Sequence, residues 1–405
     1  MPEPGQFDRR GAWRAAVAGM VCLAVAMGLG RFAFTPALPL MLHEGKLDLP
    51  GGGLLASLNY LGYFLGALSG AAIRVASPRM IRFSLAATAA LLLGMGAVHN
   101  FAAWGVLRTS AGIASAWAFV FASGWCLRRL AETGAPRLVG IVYAGPGLGI
   151  LLAGVAGSLG GAWGADAAWL VYGVLALVLG AAVWAVFDDP HPEVGPPAVG
   201  VAQALAADQG AASAREAGWL IGLYGLAGFG YIVTATFLPV IARQALPGSP
   251  WPDLFWPMVG AAVVVGAILG ARVPGHLDNR SLLAAGYLIQ AAGVLMSVVW
   301  PSAAGFTLGS LLLGLPFTAI TMFAMREARR LRGNAASGLI GLATASYGVG
   351  QIIGPLFAAP LAQRTGSFTL PLLVAAAALV AGGLMFAWVW RRSVSRIGKI
   401  SVNVL

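Results

Sequence analysis

Long runs of apolar residues without a charged side chain recur along the whole chain. Such runs cover residues 49–73, 138–165, 167–187, 217–242, 333–363 and 365–390, and a further run over 281–325 turns at Pro301. A helix needs roughly 20 apolar residues to cross the hydrocarbon core of a bilayer. The pattern therefore predicts an all-α membrane protein of twelve spanning helices, near residues 13–42, 51–73, 80–97, 101–127, 136–160, 166–187, 217–242, 254–274, 281–300, 303–326, 335–361 and 367–390.

The composition excludes a large soluble protein. Of the 405 residues, 59% are hydrophobic and only 10% are charged, whereas a soluble domain carries about 25% charged residues. Too few charged side chains remain to solvate a surface that faces water. The first apolar stretch is longer than the about 7–15 residues of a signal-peptide core, so we expect it to remain as the first helix.

Positively charged residues cluster in alternate connections between the predicted helices. The connections on one side, which also hold both termini, carry twenty Lys and Arg residues, whereas those on the other side carry only Lys46, Arg243 and Arg364. The positive-inside rule predicts that the first side faces the cytoplasm at a bacterial inner membrane. The net charge of +11 is thus a topology signal, and nucleic acid is not expected as a partner.

The chain also carries signs of an internal duplication. A polar segment rich in proline separates two sets of six predicted helices, which predicts an N-terminal bundle over 1–187, a cytoplasmic linker over 188–216 and a C-terminal bundle over 217–405. Helix one aligns with helix seven without gaps, so that Gly28, Gly30, Leu38 and Pro39 match Gly228, Gly230, Leu238 and Pro239. Two similar bundles that meet at the bilayer midplane form an interface that opens to either side, as in alternating access.

Three short motifs resemble the major facilitator superfamily. Arg108 and Gly112 in helix four fit its RxxxG pattern, and residues 144–149 in helix five read AGPGLG, a partial match to its glycine-proline antiporter motif. Residues 28–41 read GLGRFAFTPALPLM and resemble the first helix of the YbfB/YjiJ-type branch. The Asp-Arg pair usual after helix two is missing, although Asp278 and Arg280 keep a remnant after helix eight. The resemblance implies a secondary transporter in which helices one, four, seven and ten line a central cavity.

Arg31 and Arg108 are the two charged residues inside the predicted spans. A charge at that depth is costly and by default marks a functional site. In the duplication Arg31 takes the position of Tyr231, although packing symmetry alone favours similar residues at both places. Because a guanidinium matches the planar geometry of carboxylate or phosphate, we predict that Arg31 binds an anionic substrate. Arg108 is predicted to assist it or to organise the bundle, and a structural or gating role is favoured for Arg108. The structural alternative is that an arginine bonds backbone carbonyls freed by Pro36, Pro39 and the glycines.

Other polar, aromatic and small residues complete the candidate site. The predicted substrate-binding set is Arg31, Arg108, Tyr143, Tyr231, Thr234, Thr321 and Gln351, and further pocket candidates are Asn59, Tyr60, Tyr63, Tyr224, Thr318 and Tyr347. The predicted gating or hinge set is Pro36, Pro39, Gly145, Pro146 and Gly149. Cys22 and Cys126 are predicted to be packing residues, and neither a metal site nor a cofactor is expected.

Acidic side chains and histidines are predicted only in loops or at helix ends. A buried carboxylate that carries protons or recognises a cationic drug is therefore not expected, although Glu44 or Asp253 is a candidate for titration at an external mouth. The chain has neither a phosphate loop of the GxxxxGK(S/T) type nor a buried acid–base cluster, so we expect neither an ATP motor nor an enzyme. The leading prediction is a secondary transporter for a small organic anion, a carboxylate or a phosphorylated solute, with a proton or counter-ion as an open partner. The alternative is efflux of neutral or hydrophobic compounds.

Overall fold

The computed structural model describes residues 8–70, 72–160, 163–187, 211–333 and 336–402. Within these ranges the chain forms helices and turns and no extended strand. Twelve long helices follow one another: α1 Arg9–His43, α2 Leu49–Gly70, α3 Ser77–Ala97, α4 Phe101–Glu132, α5 Pro136–Leu159, α6 Gly164–Phe187, α7 Ala211–Ala245, α8 Pro252–Ala271, α9 Asn279–Val299, α10 Ala303–Arg332, α11 Ala336–Thr365 and α12 Thr369–Val402. Each predicted span overlaps one of these helices, which confirms the predicted all-α membrane architecture.

Eleven of these helices are long and apolar enough to cross a membrane when the described residues are judged by length and composition. The remaining helix, α2, has 22 residues and no charged side chain, but its glycines, its serines and Asn59 lower its mean hydropathy. It packs against both α4 and α11, so much of its surface meets protein instead of lipid. A less apolar composition is therefore compatible with its position.

The helices form two sets with the same internal contacts. We call α1–α6 the first half and α7–α12 the second half. In the first half α1 packs on α5, α2 on α4 and α3 on α6, and in the second half α7 packs on α11, α8 on α10 and α9 on α12. Between the halves, α1 packs on α7, α2 on α11 and α5 on α8. Residues 188–210 of the predicted linker lie outside the described residues, and α7 begins at Ala211.

Within each half successive helices alternate in direction because their connections are short, and α1 and α7 run in the same direction because Thr35 pairs with Ala235 and Arg31 is linked through Gln351 to Tyr231. The start of α1 and the end of α12 therefore lie at the same end of the bundle, which we call the terminal end. The connections after α1 and after α7 lie at the other end, which we call the far end. The depth of a side chain is given relative to these two ends.

The first helix is irregular in its middle. A π-helical turn covers Ala24–Leu29, and the helix is interrupted at Ala33 before it resumes over Phe34–His43. Pro36 has no backbone N–H, so the carbonyl of Phe32 loses its usual donor four residues on. Irregular backbone within a span is tolerated where protein covers it, and residues 24–34 are all buried.

Glycines bring α2 and α4 unusually close together. A Cβ added to Gly62 on α2 would lie 2.0 Å from the carbonyl oxygen of Thr109 on α4. A Cβ added to Gly112 on α4 would lie 2.1 Å from the carbonyl oxygen of Asn59 on α2. Both distances are far inside van der Waals contact, so this interface accepts no side chain at either position.

Replacing Gly62 with alanine is expected to destabilise the protein by more than the about 1–3 kcal/mol typical of overpacking, because the clash falls on backbone. The measurement is the thermal unfolding midpoint of the purified protein in detergent. Gly124→Ala on α4 is the matched control, since a Cβ at Gly124 meets nothing within 4 Å. Equal midpoints for the two variants would show that the α2–α4 contact is looser than described.

Candidate functional site

Arg31 lies on α1 just before the interruption of the helix and is only 3% exposed. Its Nη2 donates a hydrogen bond of 2.6 Å to Oε1 of Gln351 on α11. Gln351 in turn donates from Nε2 to the hydroxyl oxygen of Tyr231 on α7. Side chains from both halves thus form one buried series of hydrogen bonds, Arg31–Gln351–Tyr231, which we call the Arg31 chain. It brings together three of the predicted substrate-binding residues.

Aromatic rings surround the guanidinium of Arg31. Its central carbon lies 4.0 Å from the ring centre of Tyr63 and 5.1 Å from that of Tyr60, both on α2, and 5.3 Å from that of Phe32. Cation–π contacts of this kind stabilise a charge by about 0.5–2 kcal/mol, with the larger values where water is excluded. The Nε of Arg31 has no hydrogen-bond partner, and no ion pair within 4.0 Å joins Arg31 to a carboxylate of the described residues. The contacts that hold this charge are therefore with neutral groups.

Arg108 on α4 lies beside Arg31 but has different partners. Its Nη1 donates to the carbonyl oxygen of Gly30 at 3.3 Å and its Nη2 to that of Arg31 at 3.0 Å. Its central carbon also lies 4.9 Å from the ring centre of Phe34. Arg108 thus ties α4 to the backbone of α1 next to the interruption. These contacts favour the structural alternative for Arg108.

Three tyrosines of the second half form a stack that starts at the Arg31 chain. The ring centre of Tyr347 lies 5.8 Å from that of Tyr231 and 4.5 Å from that of Tyr224. The Tyr224 hydroxyl donates a hydrogen bond of 3.0 Å to Oγ1 of Thr321 on α10. We call Tyr231, Tyr347 and Tyr224 the tyrosine ladder. Because Tyr224 precedes Tyr231 by two turns of α7, the ladder leads about 10 Å towards the terminal end.

Two other predicted binding residues lie outside the Arg31 chain. Tyr143 on α5 packs on Phe119 of α4, with ring centres 6.2 Å apart. Thr234 on α7 is 2% exposed, and its hydroxyl has no hydrogen-bond partner within the part of the chain that the structure describes. The roles of both residues as substrate ligands remain predictions.

Two of the predicted hinge residues, Gly145 and Gly149, lie at the contact between α1 and α5. A Cβ added to Gly149 would lie 2.1 Å from the carbonyl oxygen of Ala24, which begins the π-helical turn of α1. The close approach means that a bend in α1 at this turn and a tilt of α5 affect each other. The predicted hinge set consists of Gly145, Pro146 and Gly149 on α5 and Pro36 and Pro39 on α1.

Polar contacts between the halves lie between the Arg31 chain and the far end. Three hydroxyl groups of the first half donate to backbone carbonyl oxygens of the second half: Thr35 to Ala235 at 2.8 Å, Ser57 to Ile352 at 2.8 Å and Ser158 to Asp253 at 2.9 Å. In a fourth hydrogen bond the hydroxyl oxygens of Tyr60 and Thr236 lie 3.1 Å apart. We call these the far-end contacts. They hold the halves together on the far side of Arg31.

Ion pairs connect the loops of the first half at the far end. Lys46 lies 2.8 Å from Glu44 and 2.5 Å from Asp166, and His99 lies 2.9 Å from the second oxygen of Asp166. Partial burial opposes ionisation of Glu44, but hydrogen bonds from Lys46 and from the backbone N–H of Ala165 outweigh it and lower the pKa of Glu44. Burial likewise disfavours charged Lys46, but Asp166 and Glu44 raise the pKa of Lys46.

The ion pair of Glu44 predicts a stability term that depends on pH. A carboxylate whose pKa is lowered by folding stabilises the protein above its unfolded pKa of about 4.3, and this stabilisation is lost as the pH falls through the folded pKa. We therefore expect the gap in unfolding midpoint between the wild type and Glu44→Gln to be present at pH 7 and to shrink as the pH falls below the unfolded pKa of Glu44. A gap that is independent of pH over this range would contradict the ion pair.

Glu327 departs from the expectation that acidic residues lie in loops or at helix ends. The helix α10 continues to Arg332, so Glu327 lies inside it and is only 2% exposed. Its two oxygens accept hydrogen bonds of 2.7 and 2.8 Å from Arg330, and Arg280 approaches one of them at 3.9 Å. The spacing of three residues between Glu327 and Arg330 places both on one helix face, so this ion pair could have been predicted from the sequence.

A family model described as "Uncharacterised MFS-type transporter YbfB" matches residues 23–387. The chain belongs to this family of major facilitator transporters. The matched range contains all the residues of the Arg31 chain and the tyrosine ladder. This confirms the resemblance that the sequence motifs indicated.

A solved structure of the same fold is similar to this facilitator over most of its length. The crystal structure of a mutant of the nucleoside transporter NupG superposes with a TM-score of 0.70 at 13% sequence identity, and the match covers 93% of this chain and 99% of that chain. At this level of identity the match shows the fold alone. No curated protein matches the sequence.

Membership of the YbfB-type family settles the general class of the protein. It is a multi-pass membrane protein of the major facilitator fold, and its family indicates secondary transport of a small molecule and not an enzyme. In this facilitator the Arg31 chain crosses the interface between the halves at the middle of α1.

Proposed function

We propose that this protein is a secondary active transporter that moves a small organic anion by alternating access, with Arg31 as the group that binds the anion. In this proposal residues 1–187 and 217–405 form two bundles joined by a linker over 188–216. The protein lies in a bacterial cytoplasmic membrane with both termini in the cytoplasm, because the positively charged connections lie at the terminal end.

The buried charge of Arg31 is the observation that carries the proposal. A buried ion is expensive unless an opposite charge and hydrogen bonds compensate for it. A guanidinium has five N–H donors, and Arg31 uses one of them in its hydrogen bond to the neutral amide of Gln351. A carboxylate or phosphate accepts two parallel hydrogen bonds from the guanidinium fork and supplies the missing negative charge. The guanidinium of Arg31 is therefore better matched to an anionic ligand than to the neutral amide of Gln351.

Binding at Arg31 is coupled to the interface between the halves. The hydrogen bond from Arg31 to Gln351 joins α1 of the first half to α11 of the second half. An anion that takes the place of the Gln351 oxygen removes this link, while Gln351 keeps its hydrogen bond to Tyr231. The ligand thus interacts differently with the joined and the separated halves, which is what a shift between the two states requires.

In the proposed orientation the far-end contacts close the outer side of the path. Opening to the outside requires these contacts to break, among them the hydrogen bond between Thr35 and Ala235. Transport of the anion coupled to a proton is compatible with this proposal. None of the described carboxylates forms an ion pair with Arg31, and one route for a proton that enters with the substrate is the carboxylate of the substrate itself.

The experiment that tests the proposal measures thermal unfolding of the purified protein with matched pairs of ligands. Each pair consists of a small carboxylate and its neutral primary amide. A ligand at 100 times its dissociation constant stabilises the folded state by about 2.7 kcal/mol, which is measurable as a raised midpoint. The proposal predicts that carboxylates or phosphorylated solutes raise the midpoint and that the paired amides do not.

Efflux of neutral or hydrophobic compounds is the alternative function, and the rings around Arg31 are the observation in its favour. Aromatic walls bind apolar compounds through their faces and edges without a charge. This alternative predicts that neutral hydrophobic compounds raise the midpoint of the wild type and of Arg31→Gln by the same amount.

A further inference from the structure

We propose that the anion carried at Arg31 bears an aromatic ring, so that the substrate class is an aromatic carboxylate. This inference rests on the proposed function and narrows it. The carboxylate pairs with the guanidinium, and the ring lies against tyrosines that lead from Arg31 towards the terminal end.

The surface next to the guanidinium is aromatic on both sides of the interface. In the first half the rings of Tyr63 and Phe32 lie 4.0 and 5.3 Å from the guanidinium carbon. In the second half the ring centre of Phe317 lies 5.1 Å from that of Tyr231, and it lies 6.1 Å from that of Phe32. Rings of both halves therefore meet next to the guanidinium, where the rest of a ligand would lie once its carboxylate is bound to Arg31.

The tyrosine ladder continues this aromatic surface. Tyr231 and Tyr224 are 1% and 2% exposed, whereas Tyr347 between them is partly accessible. Tyr63, which faces Arg31, is also partly accessible. Tyr347 and Tyr63 both contact buried residues and are still partly accessible themselves. Such partial access is expected for side chains that border a substrate path. A planar ring in that path makes offset or edge-to-face contacts with Tyr347 and Tyr63, which a saturated ring cannot match.

The hydroxyl groups of the ladder make simple packing a poor explanation for it. A phenol buried without a partner costs free energy, so a core that needs only to be filled is better served by leucine or phenylalanine. Here the hydroxyl groups of Tyr231 and Tyr224 are paired with Gln351 and Thr321. These partners lie on α11 and α10, so the ladder is built into the polar interior beside Arg31.

The test measures dissociation constants from the ligand dependence of the unfolding midpoint for ligands that differ only in the ring. Benzoate is compared with cyclohexanecarboxylate, phenylacetate with cyclohexylacetate, and benzamide serves as the ring without a charge. In the wild type the aromatic acid of each pair is expected to bind about 2- to 10-fold tighter than its saturated partner. Tyr347→Leu is expected to abolish this preference, whereas Tyr347→Phe, which keeps the ring, is expected to retain it.

Each outcome separates this inference from the proposal on which it rests. Equal binding of the two acids of each pair to the wild type, or a preference that survives in Tyr347→Leu, overturns the aromatic substrate class and leaves anion transport intact. Binding of benzamide as tight as that of benzoate, unchanged in Arg31→Gln, overturns the anion proposal as well. If neither acid of either pair binds while aliphatic dicarboxylates or sugar phosphates do, only the aromatic inference fails.

Discussion

Replacing Arg31 with glutamine is expected to weaken binding of the anionic substrate by about 30-fold or more. Removing one partner of a buried, hydrogen-bonded charge pair costs about 2–5 kcal/mol, and every 1.4 kcal/mol is a factor of ten in the dissociation constant. Glutamine still reaches polar neighbours but supplies neither the charge nor the fork. The measurement is the dissociation constant from the ligand dependence of the unfolding midpoint.

Arg31→Lys is the matched control for this prediction. Lysine keeps the positive charge but presents it as a point instead of a planar fork, so an intermediate affinity is expected. The unliganded variants are expected to be at least as stable as the wild type, because they relieve or retain a buried charge whose partners are neutral. If Arg31→Gln binds the same carboxylates as tightly as the wild type does, Arg31 is a structural residue.

Replacing Arg108 with glutamine is expected to lower the unfolding midpoint substantially. The guanidinium satisfies the carbonyl oxygens of Gly30 and Arg31, where α1 is irregular. A hydrogen bond made by a charged group contributes about 1.5–3 kcal/mol, so the loss of two such contacts is a large fraction of the stability of a domain. The measurement is the thermal unfolding midpoint without ligand.

The two arginines are therefore expected to have opposite phenotypes. Arg108→Gln should reduce stability while the folded fraction keeps most of its affinity, whereas Arg31→Gln should reduce affinity without lowering the unfolding midpoint. Arg108→Lys should recover part of the midpoint, since an ammonium reaches one of the two carbonyl oxygens. An Arg108→Gln protein of normal stability that has lost ligand binding would place Arg108 in the substrate site instead.

Most of the fold follows from the hydrophobic pattern, because a span in lipid must be a continuous apolar helix. The hydrophobic pattern is weakest in α2, where glycines and Asn59 reduce the hydropathy of a helix that packs against protein on two sides. It also misses the π-helical turn Ala24–Leu29. That turn packs closely on Gly149 of α5, a contact that the local sequence of α1 does not show.

The members of the candidate site could be predicted from the sequence, but their pairing could not. The cost of a charge at depth identified Arg31, and the internal repeat placed Tyr231 at the equivalent position. The hydrogen bond from Arg31 to Gln351 joins residues 320 positions apart, and no spacing rule connects such positions. A structural role for Arg108 is the one favoured from the sequence, but its partners, the carbonyl oxygens of Gly30 and Arg31, are visible only once α4 is packed on α1.

Helix geometry makes the polar residues of α2 face different directions. Residues 59, 60 and 63 cannot share one face of a helix completely. In the structure Asn59 donates a hydrogen bond of 2.8 Å to the carbonyl oxygen of Arg108, while Tyr60 and Tyr63 lie over the guanidinium of Arg31. The geometry of a single helix thus predicts which side chains point in different directions. Which residue each side chain contacts depends on how the helices pack.

The most direct test of the central claim is counterflow of a radiolabelled carboxylate into proteoliposomes. The ligand is the carboxylate that most stabilises the purified wild-type protein, and equal amounts of folded wild type, Arg31→Lys and Arg31→Gln are reconstituted. If Arg31 binds the anion, unlabelled carboxylate inside the vesicles drives uptake by the wild type, Arg31→Lys retains part of this uptake, and Arg31→Gln shows none above empty vesicles. Uptake by Arg31→Gln at the rate of the wild type would contradict an anion site at Arg31.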